Sequence, residues 1–121
     1  MLSDVVETCR VLRALTVAEF WRQSMGPARS VERARARGRT CARRSGSARA
    51  RLRQLIRMID ARLPDSGNCY RRALAEMALD PDSAVEQLHF GLMKAGGPRS
   101  GHAWLASDAP ESDSYDAEFT I

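Results

Sequence analysis

Apolar positions in this chain follow a helical period over the first half and a period of two near the end. After Ser3, a residue type that often caps helices, apolar residues recur at near-helical spacing through residues 5–21, until the dipeptide 26–27, Gly-Pro, ends the pattern. A second stripe over residues 52–63 has the i, i+3, i+4, i+7 spacing of one helical face, and Pro64 closes it. The sequence therefore predicts two amphipathic helices.

The stretch between these two stripes is poor in apolar residues. Residues 28–51 are almost all Arg, Ala, Ser and Gly, with Val31 and Cys41 as the apolar anchors. Because so few apolar side chains can bury little surface, we expect a frayed helix or a linker there.

Charge is divided unevenly along the chain although the net charge is only +4. Residues 21–63 hold thirteen arginines and two acidic residues, whereas residues 64–121 hold four basic and ten acidic residues. A basic segment followed by an acidic one can attract nucleic acid or an acidic peptide. The two segments can also neutralise each other within one fold, which is the interpretation we favour.

A third helix is predicted to start at Cys69. Asn68 is a good N-cap residue, and the apolar pattern that follows continues to Asp80-Pro81. The thiol of Cys69 therefore falls in the first turn of a helix.

The C-terminal third predicts an antiparallel meander. From about Val85 the period changes to two, with Leu88, Phe90 and Leu92 on one face and Gln87, His89 and Met93 on the other. Residues 95–98 form a hairpin connection to a second strand at 101–107, and a polar turn leads to a third strand at 115–121. Helices followed by such a sheet define an α+β fold.

Cys69 and His102 have the chemistry of a nucleophile and its base. A thiol attacks only as the thiolate, and an ordinary thiol with a pKa of about 8.5 is mostly protonated at neutral pH. Unpaired N–H groups and the positive dipole at a helix N-terminus favour the anion. His102 shares a strand face with Trp104 and can accept the proton, while the next strand offers Asp113, Asp116 and Glu118 to orient the imidazole. Without such a partner, we would favour Cys69 as a small buried side chain at a helix start.

Two short motifs resemble those of a known family. The run Asn-Cys69-Tyr-Arg-Arg72-Ala-Leu is similar to a Cys-x-x-Arg-Ala-Leu helix start, and His102-Ala-Trp104 is similar to a His-Ala-Trp strand. Both belong to the transglutaminase-like peptidase of lasso-peptide biosynthesis, also called the microcin-processing B protein. The resemblance covers about residues 52–121 and places the chain among cysteine hydrolases of the papain and transglutaminase kind.

This resemblance implies a division of the chain and a set of roles. Residues 1–51 would be a helical, Arg-rich N-terminal region, and residues 52–121 a cysteine protease domain with its catalytic helix packed on a small antiparallel sheet. The enzyme would remove the leader peptide from a ribosomally synthesised precursor. Cys69 would be the nucleophile, His102 the base and then the acid, and an aspartate would orient His102. From strand alternation we choose Asp116, with Asp113 in reserve.

Trp104 and Arg72 are candidate substrate-binding residues with structural alternatives. Trp104 either lines the substrate groove or covers the core beside the sheet. Arg72 either orients substrate or pairs with Glu76 at i+4 on the helix surface.

The resemblance also implies two partners, the precursor peptide and an ATP-dependent macrolactam cyclase. We expect a separate leader-recognition protein as well, because residues 1–51 show no alternating strands to which a leader could add. We expect no cofactor and no metal, since the possible zinc ligands lack a short ligand pair; they are Cys41, Cys69, His89 and His102. An odd number of widely spaced cysteines indicates free thiols, and no apolar run is long enough for a membrane span, so we expect a cytoplasmic protein.

Two other functions remain open at the sequence level. Residues 29–57 could form an Arg-rich nucleic-acid-binding module, although that stretch has no aromatic side chains for base stacking, and we expect no nucleic-acid partner. A catalytically silent transglutaminase-like fold could instead serve only for binding.

Overall fold

The computed structural model describes residues 2–92, 101–109 and 117–121. The helices in these ranges are α1 (Leu2–Ser24), α2 (Pro27–Gly38), α3 (Gly46–Asp60), α4 (Cys69–Leu79) and α5 (Pro81–Ala84). The strands are β1 (Leu88–Leu92), β2 (Gly101–Leu105) and β3 (Ala117–Thr120), and a 3-10 turn over Ala106–Asp108 follows β2. The predicted α+β class is confirmed.

Helix α4 lies at the centre of the molecule. It contacts α1, α2, α3, α5 and β2, and every residue from 73 to 78 is buried. The core around it takes apolar side chains from each of the first three helices, namely Leu15, Val31, Leu52 and Ile56. Because neighbours surround α4, the position of its first residue is fixed by packing as well as by its cap.

The Arg-rich stretch is folded, so the predicted frayed helix or linker over residues 28–51 is wrong. Helix α2 starts at Pro27, and α3 starts at Gly46, where the Ser45 hydroxyl accepts the Ala48 N–H at 3.2 Å. The buried face of α2 is made of small residues, which are Ser30, Val31, Ala34 and Gly38. Small side chains let two helices approach closely, so this face packs without many large apolar residues.

Oppositely charged segments neutralise each other across the fold, as we favoured. Arg49 on α3 contacts Asp80 at 2.6 Å and Glu86 at 2.6 Å. Arg53, one turn later, contacts Glu76 at 3.0 Å. Further pairs between the basic segment and acidic side chains are Arg43–Asp82, Arg44–Glu7 and Arg57–Asp108. The arginines of α3 thus hold α3 to α4 and to the chain that follows it.

The strand order is β2-β1-β3, so the predicted meander is wrong. Phe90 of β1 pairs with Ala103 of β2 on one side and with Phe119 of β3 on the other, both antiparallel. The outer edge of β2 faces the start of α4, where the Ala103 N–H donates to Cys69 Sγ. Since that edge is occupied, β3 pairs with the opposite edge of β1. The predicted alternation of Leu88, Phe90 and Leu92 with His89 is confirmed by this register.

Several predicted element ends differ from the structure. Helix α3 ends at Asp60 rather than residue 63. Strand β1 begins at Leu88 rather than at about Val85, since the short helix α5 occupies residues 81–84 just before it. The hairpin at residues 95–98 and the start of the third strand lie outside the described residues. The predicted division between residues 51 and 52 falls inside α3, and it stays a prediction.

Substituting Gly38 tests the close packing of α2. A Cβ at this position would lie 1.9 Å from the Met77 carbonyl oxygen and 2.8 Å from Ala84 Cβ. We expect Gly38→Ala to lower the free energy of unfolding by about 2 kcal/mol or more, measured by chemical denaturation, because backbone must move. Gly46→Ala is the matched control, since nothing lies within 4 Å of its Cβ position. An unchanged denaturation midpoint for Gly38→Ala would contradict this packing.

Candidate active site

Cys69 is the first residue of α4, as the sequence predicts. The Asn68 side chain caps the helix by accepting the Arg71 N–H at 2.9 Å. The preceding turn uses positive φ angles at Asp65 (59°) and Gly67 (79°) to bring the chain back toward α4. The thiol therefore lies where the helix presents N–H groups that have no partner within the helix.

A buried arginine fixes the start of α4, and the sequence analysis missed it. Arg71 is 2% exposed, and its guanidinium contacts Asp60 at 2.5 Å and 2.7 Å and Glu19 at 3.1 Å. It also donates to the carbonyls of Pro64 at 2.8 Å and Asp65 at 3.3 Å. A signal was present, because Arg71 shares a helical stripe with buried apolar residues at i+3, i+4 and i+7, namely Leu74, Ala75 and Ala78.

Arg72 does not form the predicted pair with Glu76. Its Nη1 lies 3.4 Å from Asp60 Oδ2, while Glu76 accepts from Arg53 Nε at 3.0 Å and from the Ser83 hydroxyl at 2.6 Å. Arg53 reaches Glu76 from α3, an approach that helix periodicity within α4 cannot indicate.

The sulfur of Cys69 accepts a hydrogen bond from the sheet. The Ala103 N–H donates to Cys69 Sγ at 3.2 Å from the outer edge of β2. Cys41 has the opposite environment, because two acceptors, the carbonyl oxygens of Arg37 and Ala78, lie 3.5 Å from its sulfur and share its single thiol hydrogen. The third thiol, Cys9, is exposed. Cys69 thus faces an N–H donor and a helix N-terminus, which are the surroundings that favour negative charge on sulfur.

A pocket of about 250 Å³ brings the predicted site residues together. Cys69 and His102 both line it, and so do the two candidate substrate-binding residues, Arg72 and Trp104. Its remaining polar wall comes from Arg53, Arg57, Glu76 and Asp108. The pairing of Cys69 with His102 in one concave site is therefore consistent with the predicted chemistry.

Aromatic stacking holds the imidazole of His102. Its ring lies 5.6 Å from that of Trp104 at an interplanar angle of 20°. Trp104 in turn stacks on His89 at 5.6 Å and 12°, and is only 8% exposed. Trp104 therefore both lines the pocket and packs between two histidines, which restricts the orientation of His102.

The third member of the predicted triad cannot be placed. Asp116 and Asp113 lie outside the described residues, so their assignment stays a prediction. Glu118 is described, and it shares a cross-strand row with Gly91 and His102. Residues directly opposite each other in a sheet point to the same face, so Glu118 and His102 lie on one face with a glycine between them.

The Arg-rich helix α3 anchors the chain that follows β2. Arg57 Nη2 donates to Asp108 at 3.1 Å, Arg53 donates to the Ser107 hydroxyl, and the Ser107 N–H donates to Glu86 at 2.7 Å. Because the 3-10 turn directly follows β2, the two bonds of Ser107 position the strand that carries His102, and the exposed Arg57–Asp108 pair adds little to this.

The described ranges contain neither a metal-binding cluster nor a membrane-spanning helix. No group of three or more His, Cys, Asp or Glu side chains in these ranges is placed to bind a metal ion. Nor does any described helix combine the length and apolar character needed to cross a bilayer.

Comparison with known proteins places the chain in a family. The family model described as the transglutaminase-like superfamily matches residues 12–120, so the chain belongs to the transglutaminase-like superfamily. No curated protein and no solved structure shows significant similarity to it. The match therefore begins well before residue 52, where the motif resemblance starts, and it includes α2 and all of α3. Cysteine hydrolases are common in this superfamily, in keeping with the pocket of Cys69 and His102.

Removing the Ala103 N–H tests its effect on the thiol. Ala103→Pro deletes the donor, and proline is tolerated where a strand N–H faces away from the sheet. Ala103→Gly retains the donor and is the matched control. We expect iodoacetamide to alkylate Cys69 about tenfold more slowly in Ala103→Pro and within about twofold of the parent in Ala103→Gly. Equal slowing in both variants would attribute the effect to side-chain packing instead.

Stability at acidic pH tests the contacts of Glu19 with Arg22 and, to a lesser extent, with Arg71. The hydrogen bond from Arg22, opposed by burial and supported by Gln23 and Arg71, lowers the pKa of Glu19 from 4.5 to about 2. A lowered pKa in the folded protein stabilises it above about pH 5, and this contribution is lost as the pH falls toward 2. We expect Glu19→Gln to cost about 1–2 kcal/mol at pH 7, allowing for solvent screening. Denaturation curves from pH 7 to about 3 should show the difference shrinking; a constant difference would contradict it.

Proposed function

We propose that this chain is a cytoplasmic cysteine peptidase that removes the leader peptide from a ribosomally synthesised lasso-peptide precursor. The observation that supports the chemistry most directly is the 3.2 Å contact from the Ala103 N–H to Cys69 Sγ at a helix N-terminus, in a pocket shared with His102. The substrate class is supported by the motif resemblance of residues 69–74 and 102–104.

The proposed reaction begins with attack of Cys69 sulfur on the scissile carbonyl carbon, while the thiol proton passes to His102. Backbone N–H groups at the start of α4 stabilise the oxyanion of the tetrahedral intermediate. Collapse of this intermediate breaks the C–N bond, and His102 gives its proton to the departing amine. The leader remains as a thioester on Cys69.

Hydrolysis then completes the cycle. His102 removes a proton from water as the water attacks the thioester carbonyl. The C–S bond breaks, and the sulfur regains a proton from His102. The products are a leader with a new carboxylate and a core peptide with a new amine. The amine is the group that a separate ATP-dependent macrolactam cyclase would use to close the ring.

Ion pairing in the Arg-rich helices favours the peptidase over a nucleic-acid module. The guanidinium groups of Arg49 and Arg53 are occupied by Asp80, Glu86 and Glu76. Phosphate binding would have to displace these carboxylates, at the cost of the contacts that hold α3 to α4. The other alternative, a transglutaminase-like fold that only binds a partner, predicts no cleavage of the precursor in the assay described below.

We also propose that leader recognition comes from a separate protein. Residues 2–60 form three helices and offer no strand edge to which an extended leader could add. A partner that binds the leader would raise the local concentration of precursor at Cys69 without changing the chemistry there.

A cleavage assay tests both the reaction and the need for a partner. The precursor and the small recognition protein would be those encoded beside this chain. We expect slow cleavage by the chain alone and at least about tenfold faster cleavage with the partner, since tethering raises effective concentration. Product masses would be followed over time.

Cys69→Ala is the blank for this assay, and His102→Ala should be nearly as inactive. Equal rates with and without the partner would show that the chain recognises the leader itself. Absence of cleavage in both mixtures would contradict the proposed function. Comparing Asp116→Asn with Asp113→Asn in the same assay tests our choice of the third residue, which is wrong if only the latter is slow.

A further inference from the structure

The described residues that line the pocket around Cys69 carry more positive than negative charge. Three guanidinium groups line it, those of Arg53, Arg57 and Arg72, against the carboxylates of Glu76 and Asp108. Arg53 Nε donates to both oxygens of the buried Glu76 at 3.0 Å, so these two charges neutralise each other. Among the described residues of the lining, two arginines then remain against one carboxylate, that of Asp108.

Arg72 is a second cation on a carboxylate that is already neutralised. Its Nη1 makes one long contact of 3.4 Å with Asp60, which Arg71 binds at 2.5 Å and the Gly67 N–H at 3.1 Å. Arg72 lies three residues after Cys69, on the same face of α4, and lines the pocket. A guanidinium has five N–H donors, so most of those on Arg72 are available to a ligand.

Within the described part of the chain, Arg57 is held by one exposed ion pair. A single nitrogen, Nη2, contacts both Asp108 oxygens at 3.1 Å and 3.2 Å, and the side chains are 57% and 43% exposed. Exposed pairs of this kind contribute little to stability, so an incoming carboxylate can replace Asp108 at small cost. Once Asp108 is replaced, Nη2 together with Nε or Nη1 forms a fork that is suited to a bidentate carboxylate.

From this geometry we infer that Arg57 and Arg72 form a carboxylate-binding subsite in the Cys69 pocket. The subsite rests on the proposed peptidase function and defines its substrate class: peptides with a carboxylate close to the scissile bond. That carboxylate is either an Asp or Glu side chain or the C-terminus of a short peptide. Arg57 and Arg72 would determine specificity without taking part in bond breaking.

Alkylation by a charged and a neutral reagent tests the subsite without a known substrate. Iodoacetate and iodoacetamide react alike at sulfur but differ by one negative charge, so the ratio of their rates at Cys69 reports the local attraction for a carboxylate. We expect Arg57→Gln and Arg72→Gln each to lower this ratio about threefold, and high salt to lower it in the parent. Asp108→Asn should raise it.

Arg51→Gln is the matched control, because Arg51 lies on the same helix as Arg57 but lines a different groove. An unchanged ratio in both Arg57→Gln and Arg72→Gln would overturn the subsite and leave the peptidase proposal standing. A lowered ratio in a chain that cleaves no precursor would support the subsite and contradict the peptidase. These experiments can therefore contradict the subsite without contradicting the peptidase, and the reverse.

A second measurement does not depend on the thiol. Arginine Nε–Hε signals in the NMR spectrum would be followed during addition of three small probes. N-acetylaspartic acid α-amide offers a side-chain carboxylate, N-acetylalanine a C-terminal carboxylate, and N-acetylasparagine amide neither. We expect the Arg57 and Arg72 signals to shift with one or both carboxylates and not with the neutral amide. The carboxylate that causes the larger shift shows whether the subsite prefers an acidic side chain or a C-terminus. No shift with either carboxylate would overturn the subsite.

Discussion

The ion pair between Arg71 and Asp60 is the contact on which the site depends. Both side chains are almost completely buried, and the same guanidinium reaches Glu19 on α1 and the carbonyls of the turn before α4. Removing one partner of a buried pair leaves an uncompensated charge, which typically costs about 3–5 kcal/mol. Arg71 lies two residues after Cys69, so the contact that joins α1, α3 and the turn also fixes where the thiol lies.

Arginines elsewhere extend this arrangement to the other half of the site. Those of α3 bind carboxylates on α4 and beyond it, and they hold the 3-10 turn that directly follows the strand carrying His102. Cys69 and His102 are therefore positioned from two sides by guanidinium groups. This accounts for an Arg-rich segment within a match to the transglutaminase-like superfamily that begins at residue 12.

Local chemistry explains which features the sequence predicted. The start of α4 depends on Asn68 and its near neighbours, and the alternation of β1 depends on a period of two, so both were found. Helix α2 was missed because its packing depends on the close approach of Gly38 to Met77, which is distant in sequence. The strand order was wrong because it depends on α4 occupying one edge of β2. Two motifs placed Cys69 and His102 in one pocket, whereas the burial of Arg71 required the partners that only the fold supplies.

The central claim is that Cys69 is an activated thiol. Solvent exposure of the cysteines alone would predict the opposite order of reactivity. Cys9 is exposed and Cys69 half-buried, so accessibility would make Cys9 react first. Limiting iodoacetamide followed by mass-spectrometric mapping of the folded protein separates the two effects. The account predicts that Cys69 is labelled first and that His102→Ala abolishes this advantage. Preferential labelling of Cys9, or equal labelling of Cys9, Cys41 and Cys69, would contradict it.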